Sequence, residues 1–135
     1  MKRYLLDSGV ASDFVNARGR VRSRVMESAR AGNRIGIPTP VLAELVGGVL
    51  ASQNPPKHLQ RLRQEIAGLR LWAFDEKAAF EYGRLYSELR AIGRLMQVPD
   101  IQVAAIAMAL GNAVVVTKDS DLQAVPGLDV EDWSV

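Results

Sequence analysis

The run at 113–117, Ala-Val-Val-Val-Thr, constrains the fold of this chain more than any other segment. Its three valines are β-branched and follow one another without a polar residue between them. Strand side chains point alternately to opposite faces, so such a run suits a strand covered on both sides. Tyr4-Leu5-Leu6, within a strand expected at 3–6, reads the same way. Further strands are expected at 34–37, 69–73 and 128–131.

Helical patterns fill the intervals. A helix is expected at 10–16 and another at 18–31, where Val21, Val25 and Ala29 recur at i+4 with Met26 beside them. Thr39 reads as an N-cap with Pro40 at the first helical position, opening a helix through Val46 that Gly47-Gly48 weakens or kinks. Asn54-Pro55-Pro56 starts a helix to about Ala67. Asp75 caps a long one whose apolar face is Ala79, Tyr82, Leu85, Tyr86 and Leu89. After a loop at 93–98, the segment 100–110 is apolar nearly all round, as a buried helix is. A short turn or helix begins at Asp121-Leu122. Strands alternating with helices imply an α/β domain spanning 1–135, with a mainly parallel sheet between two helical layers.

Composition removes several chemistries. The chain has no cysteine, which excludes disulfides, zinc–thiolate sites and Cys nucleophiles and fits a reducing compartment. A single histidine, His58, argues against a multi-His metal site or a Ser-His-Asp triad; at a helix start it reads as a solvated or capping residue. No apolar run approaches the ~20 residues of a membrane span. The opening Met1 to Asp7 is short and acidic for a signal peptide. A soluble, cytoplasmic protein is expected.

Against that background the acids stand out. Asp7 closes Tyr4-Leu5-Leu6, Asp119 follows Val114-Val115-Val116-Thr117, Asp100 opens an apolar helix, and Glu44 interrupts an apolar stretch. A carboxylate on such a segment is costly to bury without compensation. In parallel sheets, sites gather beyond the carboxyl ends of strands, where Asp7 and Asp119 lie. Hard oxygen ligands of this kind suit Mg²⁺ or Mn²⁺. Each acid also has a local reading: Asp7 as a helix cap, Glu44 as an exposed helix residue, Asp100 as an N-cap after Pro99, Asp119 as an Asx-turn residue. Asp121 is an alternative to Asp119 as the fourth ligand.

The net charge is +2, from 17 Lys and Arg against 15 Asp and Glu. Setting the four acids aside leaves 17 basic residues against 11 acidic ones, so the remaining surface is more basic than the total implies. A basic surface around an acidic pocket suits a polyanion held by its phosphates. Lys118, beside Asp119, is the basic residue best placed to meet such a substrate. Arg18 and Arg22 share one side of a helix and Arg20 and Arg24 another; they form a solvated face or contact a nucleic-acid backbone. Trp72, Phe74 and Trp133 read as packing residues.

The local words are more specific. Tyr4-Leu5-Leu6-Asp7-Ser8-Gly9, Pro38 to Leu45 around Glu44, Pro99-Asp100 through Ala107, and Val115 to Leu122 around Asp119 resemble, in order, the four motifs of PIN-domain nucleases, in particular VapC-type ribonuclease toxins. The resemblance runs from Lys2 to about Trp133. It implies a three-layer α/β/α domain, a Mg²⁺-dependent endoribonuclease (Mn²⁺ also fits), an antitoxin partner and a homodimer. By position it assigns Asp7, Glu44, Asp100 and Asp119 the catalytic, metal-holding roles. Ser8 and Thr117 match hydroxyl positions beside the site, with a local backbone hydrogen bond as the alternative. Ser8-Gly9 stands where Thr-Asn is frequent, Arg94-Leu95-Met96-Gln97 replaces a Gly-Arg-Pro-Ile loop, and Asp119 stands where Asn is common; none of these removes an acid. The rival reading is a catalytically silent PIN-like module that binds RNA or protein. A haloacid-dehalogenase-like enzyme is disfavoured, because Gly9 stands where its second Asp is needed.

Overall fold

The computed structural model describes residues 1–134. Five strands form one parallel sheet in the order β3-β2-β1-β4-β5. They are β1 (Arg3–Leu6), β2 (Arg34–Pro38), β3 (Arg70–Trp72), β4 (Ala113–Val116) and β5 (Val130–Glu131). β1 lies in the middle, with Leu5 paired to Gly36 of β2 on one side and to Val115 of β4 on the other. Leu5, Leu6, Val115 and Val116 are all 0 % exposed. Consecutive strand residues face opposite sides, so their joint burial means that helices cover both faces.

The helices are α1 (Ser8–Val15), α2 (Val21–Arg30), α3 (Thr39–Leu50), α4 (Pro55–Ile66), α5 (Glu76–Ala91), α6 (Val98–Leu110) and α7 (Ser120–Gln123). The expected three-layer α/β/α arrangement is observed. α6 is buried along most of its length, from Ile101 to Ala107, apart from the half-buried Gln102. Among the described residues no helix is long and apolar enough to cross a membrane.

Several local expectations are corrected. Thr39 is the first residue of α3 and not its cap; Pro38, extended at φ −68° and ψ 149°, precedes the helix. The Thr39 hydroxyl instead accepts from the Phe74 amide at 3.1 Å, tying the start of α3 to the chain beyond β3. Gly47 and Gly48 do not interrupt α3, which continues to Leu50. α6 begins at Val98, earlier than expected, with Pro99 in its first turn, where a missing N–H costs nothing. On α5 the inward residues are Ala78, Leu85 and Leu89, while Ala79 is exposed. On α2, Val21 and Val25 are buried, but Met26 and Ala29 face outward.

The join between β2 and β3 requires a glycine. A Cβ on Gly36 would collide with the backbone and Cβ of Arg70, its register partner. Replacement Gly36→Ala is therefore expected to destabilise the protein by about 1–3 kcal/mol, as overpacking does. Circular-dichroism melting should show a drop of several degrees; an unchanged midpoint would mean that β3 yields freely.

Candidate metal centre

The strand order reverses between β1 and β4: β2 and β3 follow β1 on one side, and β4 and β5 lie on the other. Such a switch point leaves a crevice beyond the carboxyl ends of the two diverging strands. β1 runs directly into Asp7, and β4 into Thr117 and Asp119.

Asp7 is 9 % exposed and caps α1. Its Oδ1 accepts from the Val10 amide at 2.9 Å, and its Oδ2 accepts from the Thr117 hydroxyl. Thr117 is completely buried. Its Oγ1 also accepts from the Asp119 amide at 2.9 Å, using the hydroxyl as donor and acceptor at once. Asp119 in turn caps α7, with Oδ1 accepting from the Asp121 amide at 2.9 Å. One continuous hydrogen-bonded chain thus joins the ends of β1 and β4.

Asp100 enters from the first turn of α6. Ligand oxygens of Asp100, Asp119 and Asp121 all lie within 4.8 Å of one another, and the three residues are half-buried. An open cavity of about 390 Å³ is lined by Asp7, Ser8, Gly9, Val10, Asp100, Lys118 and Asp119. Burial, followed by the charges of Asp119, Asp7, Asp121 and Glu44, pushes the Asp100 carboxyl up to about 6. Burial also raises Asp7, against the hydrogen bonds from Thr117 and Val10; Asp119 adds to the rise and Lys118 opposes it. The donors are hard oxygens whose repulsion a cation relieves, so the residues present fit a divalent ion such as Mg²⁺.

The structure therefore brings Asp7, Asp100 and Asp119 to one edge and adds Asp121 to them. Glu44 is exposed on α3, as its local reading as an exposed helix residue has it. It lines an adjoining groove of about 380 Å³ together with Ser8, His58 and Arg61. Lys118 is exposed at the rim, its Nζ 3.5 Å from Asp13. Arg18 lies 3.8 Å from the same carboxylate. Arg22 is committed elsewhere: it donates to the Phe14 and Val15 carbonyls at 2.7 and 3.1 Å and pairs with Glu65 at 2.6 Å. It braces α2 against α1 and α4 and does not stand open at the site. Arg94, not singled out from the sequence as a site residue, places Nη2 3.0 Å from Asp121 Oδ1. The available signal was its position, directly after a helix-ending glycine and just ahead of Asp100.

A parallel α/β domain with an acidic cluster at its topological switch point defines a narrow class. Residues 4–128 match the PIN domain profile, and the chain belongs to the PIN-domain family. It is similar to Ribonuclease VapC2 of Rickettsia felis, 28 % identical over 130 residues covering 96 % of this chain and 97 % of that protein. It is also similar to the tRNA(fMet)-specific endonuclease VapC of Shigella flexneri, 27 % identical over 135 residues covering 99 % and 100 %. The crystal structure of VapBC2 from Rickettsia felis, bound to a DNA fragment from their promoter, aligns with a TM-score of 0.90 at 28 % identity over 97 % of this chain and 98 % of that one.

The raised Asp100 carboxyl carries a pH signature. With a folded value of about 6 against the usual 3.8, the folded state binds more protons between those values. Stability of the metal-free protein therefore falls as pH rises through that window. Asp100→Asn removes the penalty. It should melt higher than the parent above pH 7 without metal, with the difference shrinking towards pH 4. Thermal melts across pH in a chelator check this; a pH-independent difference would contradict it.

Proposed function

We propose that this chain is a divalent-metal-dependent endoribonuclease of the VapC type, the toxin of a toxin–antitoxin pair. The observation that carries the reading is the convergence of Asp100, Asp119 and Asp121 beside the buried Asp7 in a PIN-domain chain. A bound Mg²⁺ or Mn²⁺ would activate water and offset charge on the scissile phosphate. Asp7, Asp100 and Asp119 would hold it, with Glu44, on the adjoining groove, as the fourth acid.

The remaining residues work on the RNA. Asp7 receives donors from two elements, so its carboxylate stays fixed while substrate enters. The Ser8 side chain stands on both the acidic cavity and the neighbouring groove, where it meets a phosphate oxygen. Lys118 and Arg18 form the basic rim. Their pairs with Asp13 are long and exposed, and such pairs are worth ~0–1 kcal/mol, so an RNA phosphate displaces Asp13 at little cost. The likeness to VapBC2 supports an antitoxin partner, and the family resemblance supports a homodimer.

Purified protein is expected to cut RNA with Mg²⁺ or Mn²⁺, tRNA(fMet) being the first substrate to try given the Shigella relative. Asp7→Asn and Asp100→Asn should each lower the rate by about a hundredfold or more while the protein stays folded. Cleavage that survives a chelator, or full activity in both folded variants, would overturn the reading. Light scattering should give twice the 14.8 kDa of one chain; a monomer at micromolar concentration would remove the homodimer.

A further inference from the structure

We infer that Arg94 is a positioning residue that takes the place of a second cation: it holds Asp121 as an outer partner and limits the acidic centre to one divalent ion. The inference rests on the metal-centre reading above.

Local structure fixes where Arg94 starts. α5 ends at Ala91 with Ile92 as its C-cap, and Gly93 follows with φ +73°, a conformation costly for a residue bearing a side chain. The Gly93 amide donates to the Arg90 carbonyl at 3.0 Å and the Arg94 amide to the Leu89 carbonyl at 2.9 Å. These two bonds form a Schellman motif, so the backbone carrying the guanidinium is held by the helix end. From there Nη2 crosses to Asp121 Oδ1 at 3.0 Å.

The pair is half made. Arg94 Nε is buried and has no hydrogen-bond partner among the described residues. A buried donor left without a partner is costly, so a fork held in this way asks for a role. A carboxylate that met Nε and Nη2 together would satisfy it, and Asp121 is the carboxylate already in reach. Charge points the same way. Of the three acids whose oxygens lie within 4.8 Å of one another, Asp121 is matched by Arg94, which leaves Asp100 and Asp119, with Asp7 on the same cavity, to the divalent ion. Asp119 is available for that, because its own capping bond to Asp121 uses only Oδ1.

Calorimetric titration with Mn²⁺ tests this on the intact chain, with melting curves as a folding check. The parent is expected to bind one ion per chain. Arg94→Gln should bind a second ion, or bind the first at least about tenfold more tightly, because a neighbouring positive charge is gone. Asp121→Asn, a substitution at a half-exposed side chain, should still bind one ion within about threefold of the parent affinity. The double variant should return to one ion. Two ions in the parent, an unchanged isotherm in a folded Arg94→Gln, or loss of the ion in Asp121→Asn would each overturn the inference. The Asp121→Asn arm decides even if Arg94→Gln fails to fold. A parent that binds no divalent ion would overturn the metal-centre reading itself, and this inference with it.

Discussion

The contact on which the site depends is the buried bond between the Thr117 hydroxyl and the Asp7 carboxylate. It links the residues that leave the two diverging central strands. Without it the C-terminal ends of β1 and β4 would be joined only by the sheet ladder, and their loops would be free to separate. Thr117 also accepts from the Asp119 amide, so one hydroxyl sets the spacing between two acids. Its complete burial excludes water that would compete for those bonds. The sheet order supplies the crevice, and this hydroxyl fixes what lines it.

That arrangement stores repulsion. Burial raises both Asp7 and Asp100, and Asp119 raises each of them further. The fold tolerates this because the apolar core is extensive and α6 is held along nearly its whole inward surface. Hydrogen bonds offset part of the cost at Asp7, while Asp100 has no such compensation among the causes of its shift. The acidic cluster therefore works against the stability of the fold around it.

Much of this was legible in the sequence because it follows from short-range pattern. The consecutive valines of β4 announced a strand buried on both faces, and the apolar girth of α6 announced a covered helix. Asp75 as a cap was equally local, and its side chain does accept from Ala78 at 2.9 Å. Strand order was not legible, so the switch point between β1 and β4 had to come from the fold. The outward position of Glu44 was not decided by pattern for a related reason: both its neighbours are apolar, and α3 has no clear polar stripe to show which way it turns. Ala78 and Ala79 differ by one step around α5, a distinction that alanines do not encode. Arg94 and Asp121 are 27 residues apart, and nothing in either local pattern anticipates their pairing.

The local and functional readings of the acids were opposed in the sequence, yet the structure shows they are compatible. Asp7 caps α1 and Asp119 caps α7, each spending Oδ1 on a helix amide. A cap needs one oxygen, and a carboxylate has two with several lone pairs. Capping also places the acid at the junction of strand and helix, which in a parallel sheet is the edge where sites form. The cap thus orients the carboxylate without consuming it, and each helix amide lowers the cost of keeping a charged group there. Asparagine at the same position would preserve the cap and the fold while removing the charge, so capping geometry alone cannot distinguish an active centre from a silent one. What favours an active centre is the approach of Asp100, from the start of α6, to Asp119 and Asp121, which the α7 cap does not require.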